Sequence, residues 1–163
     1  NFVVDEIDAQ EIEKIAISST KIRNSINEGN LETTRKYLGR FFSLTGKVVK
    51  GDGLGKQIDY PTANIKIEEN YKIIPKDGVY YIKTTIDNKL YNGMMNIGHR
   101  PTIGSKEKSI EVNLFNFNRD IYDKIISVNV IKKIRDEKKF SSIETLKAQL
   151  AKDQEHCLKL INK

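Results

Sequence analysis

Six β-type runs follow one another between Phe42 and Ile134, at residues 42–49, 63–67, 79–86, 89–96, 110–117 and 125–134, with turn residues and no helical pattern between them. Parallel pairing would need crossover helices, which this stretch lacks, and unpaired edges invite aggregation. The runs therefore predict a closed antiparallel barrel of six strands. Asp87-Asn88 links two of the runs with residue types that tolerate positive φ, which predicts a tight hairpin.

Helical patterns flank the strands. Ser18-Ser19-Thr20 followed by Ile22, Ile26 and Gly29 predicts a short capped helix, and residues 31–38 ending at Gly39 predict a second. Beyond the last run, Ser141 with Glu144 three residues later reads as a capping box. Leu146, Leu150, Asp153, Cys157 and Ile161 then recur at helical spacing, so a C-terminal amphipathic helix should lie on the barrel. Cys157 on that stripe is expected to be a small buried hydrophobe.

At 163 residues the chain has the length of one core plus an arm. Residues 1–17 set Asp5, Glu6, Asp8, Glu11 and Glu13 against Lys14, so the acidic arm contrasts with a basic body in a chain of net charge +6. A basic body suits polyanionic partners such as nucleotide phosphates or nucleic acid. One cysteine offers neither a disulfide nor a thiolate metal cluster, which fits a reducing, cytoplasmic setting. No apolar run reaches the ~20 residues of a membrane span, so no membrane partner is expected. Asn1 in place of Met, and the strand-like Phe2-Val3-Val4, read as a piece of a longer chain.

The candidate chemistry lies in the loops and on two of the runs. Gly51, Gly53, Gly55 and Lys56 fall within six residues, a pattern that can turn backbone N–H groups toward phosphate oxygens or serve as a plain flexible connection. The spacing is not that of a Walker loop, and no helix is evident after it. In Pro61-Thr62-Ala63-Asn64, Thr62 and Asn64 are two apart and share a face on an extended chain, where two neutral oxygens could complete a Mg²⁺ shell. Ile110, Val112 and Leu114 alternate with Glu111 and Asn113, so Glu111 is either a solvated strand residue or a general base facing a cleft. His99 and Arg100 are candidate phosphate contacts in a polar loop. Tyr60, Tyr71, Tyr80, Tyr81, Tyr91 and Phe140 are either core filling or stacking surfaces.

Taken in order, residues 51–56, Pro61-Thr62-Ala63-Asn64, Pro75 with Gly78-Val79-Tyr80, Asn96-Ile97-Gly98 with Pro101-Thr102, Glu111 before Phe117, and Arg135 with Glu137 and Phe140 resemble the riboflavin kinase family. Residues 17–23 resemble the closing signature of the nucleotidylyltransferase module in bacterial bifunctional riboflavin kinase/FAD synthetases. The resemblance implies a six-stranded Greek-key barrel over residues 40–163, with 1–39 as the tail of the preceding module and its linker helices. It further implies ATP-dependent phosphorylation of riboflavin to FMN. Thr62 and Asn64 would hold Mg²⁺ and ATP phosphates, Glu111 would be the base on the ribityl 5′-hydroxyl, and the glycine loop would fold over the nucleotide. Arg135 would belong to the flavin side. FAD synthesis is expected to be absent from these residues. Three positions depart from the family pattern: Asp59 and Asp123 stand where glycine is usual, and Asn113 where histidine is frequent. The alternative is a basic nucleic-acid-binding module of the OB type, for which surface tyrosines would stack bases and Thr62, Asn64 and Glu111 would be idle.

Overall fold

The structure is a computed structural model and describes residues 11–12, 15–51, 53–99 and 108–161. The expectations placed on Phe2-Val3-Val4, on most of the acidic arm, on Asp52 and on Arg100-Pro101-Thr102 lie outside the described residues.

The elements in chain order are β1 (Glu11–Ile12), β2 (Ile15–Ala16), α1 (Ser19–Asn27), α2 (Leu31–Leu38), β3 (Phe42–Val49), α3 (Leu54–Gln57), β4 (Ala63–Lys66), β5 (Gly78–Ile86), β6 (Lys89–His99), β7 (Lys108–Leu114), β8 (Ile125–Arg135) and α4 (Ile143–Ile161). Among the described residues β1 and β2 pair with each other, a small hairpin that the sequence did not announce. The other six strands close into a barrel in the order β3-β4-β7-β6-β5-β8, every pair antiparallel. β5, β6 and β7 form a meander, and β8 returns to lie beside β5, which is the Greek-key arrangement.

Local chemistry explains the boundaries. Ser18 caps α1 by accepting from the Lys21 N–H at 3.3 Å, and α2 ends at Gly39 with φ 68°. Asp87 and Asn88 both have positive φ, 49° and 61°, and connect β5 to β6 with Ile86 opposite Lys89. β6 runs three residues past the expected Asn96, to His99, because Ile97, Gly98 and His99 find partners in Ile110, Ser109 and Lys108. The C-terminal helix is capped one residue later than expected. Ser142 and Thr145 exchange backbone-to-hydroxyl bonds at 3.2 and 3.3 Å, so Thr145 fills the place assigned to Glu144 in the box.

Strand alternation divides the apolar residues between two cores. Leu44, Val48, Ile65, Tyr80, Ile82, Met95, Ile97, Ile110, Val112, Val128 and Val130 point into the barrel. Val79, Tyr81, Met94 and Phe115 point outward, where Cys157, Leu150 and Leu160 of α4 cover them. Full burial of each large side chain contributes about 2 kcal/mol. The helical stripe thus ends on Leu160, with Ile161 left 36% exposed. Tyr80, Tyr81 and Tyr91 are all buried, so these rings fill cores and offer no stacking surface of the kind a strand-binding module needs. Burial pushes the Cys157 thiol up to about 12, as expected of an inert buried thiol.

Asp153 is the exception on α4's buried stripe, only 2% exposed. Its carboxylate accepts from Arg135 Nε at 3.0 Å and Nη2 at 2.8 Å, and from Gln149 Nε2 at 2.8 Å. This forked ion pair ties α4 to the end of β8.

Two of the family departures have a shared explanation in the backbone. Asp59 and Asp123 both have φ 64°, a region where glycine is favoured and aspartate is among the better-tolerated side chains. Each carboxylate meets a lysine: Asp59 pairs with Lys147 of α4 at 2.5 Å and Asp123 with Lys47 of β3 at 2.8 Å.

Two predictions test these ties. Replacing Asp153 with alanine strands Arg135 in a largely buried position, and should cost about 3 kcal/mol in denaturant unfolding. A loss below ~1 kcal/mol would remove the pair from the docking of α4. The Lys47 hydrogen bond and charge hold the Asp123 carboxyl below its ordinary range, so the stabilisation exists above the unfolded-state value and is lost as pH falls through the folded one. Asp123→Asn keeps a residue that tolerates positive φ. Its thermal midpoint should lie slightly below wild type at pH 7, and the two curves should converge as pH drops below ~4.

Candidate active site

The register of β4 against β7 builds the site. Ala63 pairs with Val112 and Asn64 with Glu111, and one step further along the same register Thr62 stands opposite Asn113. Directly opposed residues project to the same face, so Thr62, Asn64, Glu111 and Asn113 form a two-by-two block on the barrel's outer surface. The inner face carries Ile65, Ile110, Val112 and Leu114 instead. The same row continues around the barrel: Glu111 lies opposite Asn96, Asn96 opposite Val79, and Val79 opposite Arg135. Sequence places Glu111 and Arg135 far apart, and the pairing of four strands sets them on one band.

A cavity of about 230 Å³ lies over this band, roofed by α4 and the segment leading to it. Thr62, Asn96, Glu111 and Asn113 form one wall, Arg135, Glu137 and Phe140 another, and Leu146 and Leu150 of α4 close it. Arg135 is held by Asp153, donates through Nη1 to the Asp136 carbonyl at 3.0 Å, and sits 5.7 Å from the Phe140 ring centre. Three of its N–H groups are thereby engaged within the protein. A second cavity of about 270 Å³ is lined by Lys56, Pro61, Thr62, Phe117, Arg119 and Tyr122, among others. Thr62 lines both. The Thr62 side chain thus stands where the two spaces meet, with Glu111 on one side and the cations Lys56 and Arg119 on the other.

The glycine loop packs on the same block. A side chain at Gly51 would collide with the Asn64 amide, and one at Gly55 would strike the Tyr60 carbonyl and come within 3.1 Å of Thr62 Oγ1. Glycine at these two positions is what lets the loop lie against Thr62 and Asn64. Gly53 serves differently, taking φ 74° with open space around it. The expectation that no helix follows the loop needs correction: Leu54–Gln57 make one turn, α3, which carries Lys56 toward the second cavity. A turn of four residues is too short to give a sequence periodicity.

The sequence expectations thus fall as follows. Glu111, Thr62, Gly55 and Arg135 line the first cavity, Lys56 the second, and Asn64 is buried beneath Gly51 and opposite Glu111. The aspartate at 59 faces Lys147, so its charge is compensated on α4. His99 is an ion-pair partner of Asp77, Nδ1 to Oδ2 2.8 Å, at the end of β6. Missed from sequence were Asn96, Leu146 and Leu150 as cavity walls, Asp153 as the anchor of Arg135, and Arg119 as a cation of the second cavity. Only Asp153 left a signal, a carboxylate inside an apolar stripe.

The donor set on the Thr62–Asn64 edge is a hydroxyl and an amide beside the Glu111 carboxylate, all hard oxygen chemistry. That set fits a hexacoordinate oxygen-loving cation that keeps water or phosphate in its remaining positions, and does not fit a thiolate- or imidazole-bound metal.

Comparison with known proteins agrees with this geometry. The family model described as "Flavokinase: Riboflavin kinase" matches residues 38–161. A Bacillus subtilis protein named bifunctional riboflavin kinase/FMN adenylyltransferase is 39% identical over 88% of this chain and 46% of its own length. A protein of the same name from Buchnera aphidicola subsp. Schizaphis graminum is 43% identical over 99% of this chain and 53% of its own. The chain therefore spans about half the length of these relatives. Among solved structures, a Streptococcus pneumoniae chain described as a macrolide-efflux protein superposes with a TM-score of 0.84 at 39% identity, covering 91% of this chain and 49% of that one. A riboflavin kinase from Trypanosoma brucei shares the fold, with a TM-score of 0.53 at 23% identity over 74% of this chain and 80% of that one. Among the described residues no helix is long and apolar enough to cross a membrane. A basic six-stranded barrel, a glycine loop laid on Thr62 and Asn64, and a carboxylate paired across from them thus converge on one assignment, and the chain belongs to the riboflavin kinase family.

Proposed function

We propose that these residues transfer the γ-phosphoryl group of ATP to the 5′-hydroxyl of riboflavin, giving FMN and ADP. The observation that carries this reading is that Thr62 lines two adjoining cavities, one containing Glu111 and the other Lys56 and Arg119. Phosphoryl transfer requires chiefly that nucleophile and phosphate be positioned in line and that charge be neutralised. The cavity with Phe140, Arg135 and the apolar side chains of α4 suits the flavin, with its ribityl end toward Glu111. The cavity with the two cations, Lys56 at the end of the glycine loop and Arg119, suits the nucleotide phosphates.

Glu111 accepts the proton of the 5′-hydroxyl as the new oxygen–phosphorus bond forms and the bond to the β-phosphate bridge breaks. Lys56 and Arg119 offset charge on the phosphate oxygens, and the backbone of the glycine loop covers them. Thr62 and Asn64 would hold Mg²⁺, which supplies charge neutralisation to the phosphates when bound. Arg135, with its fork committed to Asp153, presents a fixed wall to the flavin. We assign residues 1–39 to the tail and linker of a preceding nucleotidylyltransferase module, in keeping with the names of the relatives, and FMN adenylylation to residues beyond these 163.

Riboflavin, MgATP and the protein should yield FMN on flavin chromatography, and EDTA in excess of the metal should abolish it. No FMN with the metal present would overturn the kinase reading, and FAD in the product would overturn the assignment of adenylylation elsewhere. Glu111→Ala should retain nucleotide binding while kcat falls ~10² to 10⁴-fold, the range for loss of a general base. Unchanged turnover in that variant would remove Glu111 from the mechanism.

A further inference from the structure

Among the polar side chains of the first cavity that the scheme above leaves without a part is Asn113. Asn113 lines the first cavity beside Glu111 and is only 7% exposed. We propose that Asn113 is a positioning residue, which fixes Thr62 at the junction of the two cavities by pinning the Pro61 carbonyl. The inference rests on the role given to Thr62 under the kinase reading and deepens it.

The hydrogen bond is explicit: Asn113 Nδ2 donates to the Pro61 carbonyl at 2.8 Å. A carbonyl can only accept, so the contact fixes which end of the amide faces Pro61. The backbone cannot supply what the side chain does here. The β4–β7 ladder begins at Ala63, and Pro61, two residues earlier, has no N–H with which to extend it. The register nevertheless brings Asn113 opposite Thr62, and its amide reaches one residue back to take the carbonyl just before it. A side chain thereby prolongs the pairing of β4 by the two residues that backbone bonding leaves loose.

The other side of the segment is confined as well. Tyr60 donates its N–H to the Gly55 carbonyl at 2.8 Å, and Gly55 packs so closely that an added Cβ would meet the Tyr60 carbonyl. Thr62 follows directly from these two fixed residues. Displacement of a positioning group by about 1 Å can cost a reaction 10²-fold, so a residue at a two-cavity junction is where such fixing matters. The consequence also explains a family departure. Histidine, frequent at this position, carries a ring N–H that can donate to the same carbonyl, whereas aspartate presents only acceptors that would repel it.

The test combines one readout that needs no turnover with one that does. Hydrogen–deuterium exchange followed by mass spectrometry should show the segment 58–66 exchanging ~10-fold faster in Asn113→Ala and Asn113→Asp, while the β5–β6 hairpin keeps wild-type protection. Asn113→His should restore wild-type exchange. In steady-state kinetics with varied MgATP, Asn113→Ala should lower kcat/KM ~10 to 100-fold. In a Thr62→Val background the same substitution should change it by less than ~2-fold, because the amide acts through Thr62. Wild-type exchange in Asn113→Ala, or failure of Asn113→His to restore it, would overturn the pin. Multiplying effects in the double variant would overturn the route through Thr62. Absence of FMN formation by the wild type would instead strike the kinase reading, and the exchange measurement would still decide the pin.

Discussion

The pairing of β4 with β7 is the constraint on which the site depends. Side chains alternate faces along a strand, so a one-residue slip of β4 would send Thr62 and Asn64 into the barrel, away from Glu111, and expose Ala63 and Ile65. The ladder itself is short, with two residue pairs, Ala63–Val112 and Asn64–Glu111. What excludes that slip is burial: Ile65 is 5% exposed and would be carried out to the solvent face, away from Val112 at 1%. The neighbouring ladders add to this, since β4 also pairs with β3 and β7 with β6. The arrangement of Thr62, Asn64 and Glu111 on the outer face is thus held by hydrophobic packing on the inner one.

A barrel of this size usually leaves its outer face to solvent. Here α4 covers one side of it, which is why Val79, Tyr80, Tyr81 and Ile82 are all buried although successive strand residues point to opposite sides. The helix gives the first cavity its depth and places Leu146 and Leu150 in its wall. It is fixed by apolar contact and by the Arg135–Asp153 fork, a buried charge pair whose worth lies more in orientation than in net stability. That fork connects helix docking to the cavity, since the same guanidinium lines it.

Much of this was legible in the residues. β-type runs bounded by turn residues marked all six barrel strands, Asp87-Asn88 marked the hairpin, and the face shared by Thr62 and Asn64 followed from their spacing. Their proximity to Glu111 was not derivable from local pattern, because it depends on which strands become neighbours, and it rested on the family resemblance until the register was seen. The one-turn α3 was hidden by its length, and the boundary of β6 by its dependence on partners in β7, beyond the reach of local pattern. The cap of α4 shifted because Ser142 makes it with Thr145, a hydroxyl three residues on that the capping-box signature, which asks for Glu or Gln, does not include. The strand tyrosines read as core filling or as stacking surfaces, because a ring at strand spacing looks the same either way; Tyr80 and Tyr91 fill the barrel and Tyr81 the cluster under α4.

Cys157 lies 0% exposed beneath α4, on the cluster that joins the helix to the barrel. A thiol in that place cannot be reached by an aqueous reagent, nor readily ionise, until the helix lifts. Since the chain has one cysteine, the rate at which it takes up a thiol-specific label measures helix detachment directly, without interference from any other sulfhydryl. The same sulfur would show whether a ligand in the first cavity, whose wall the helix forms, slows that detachment.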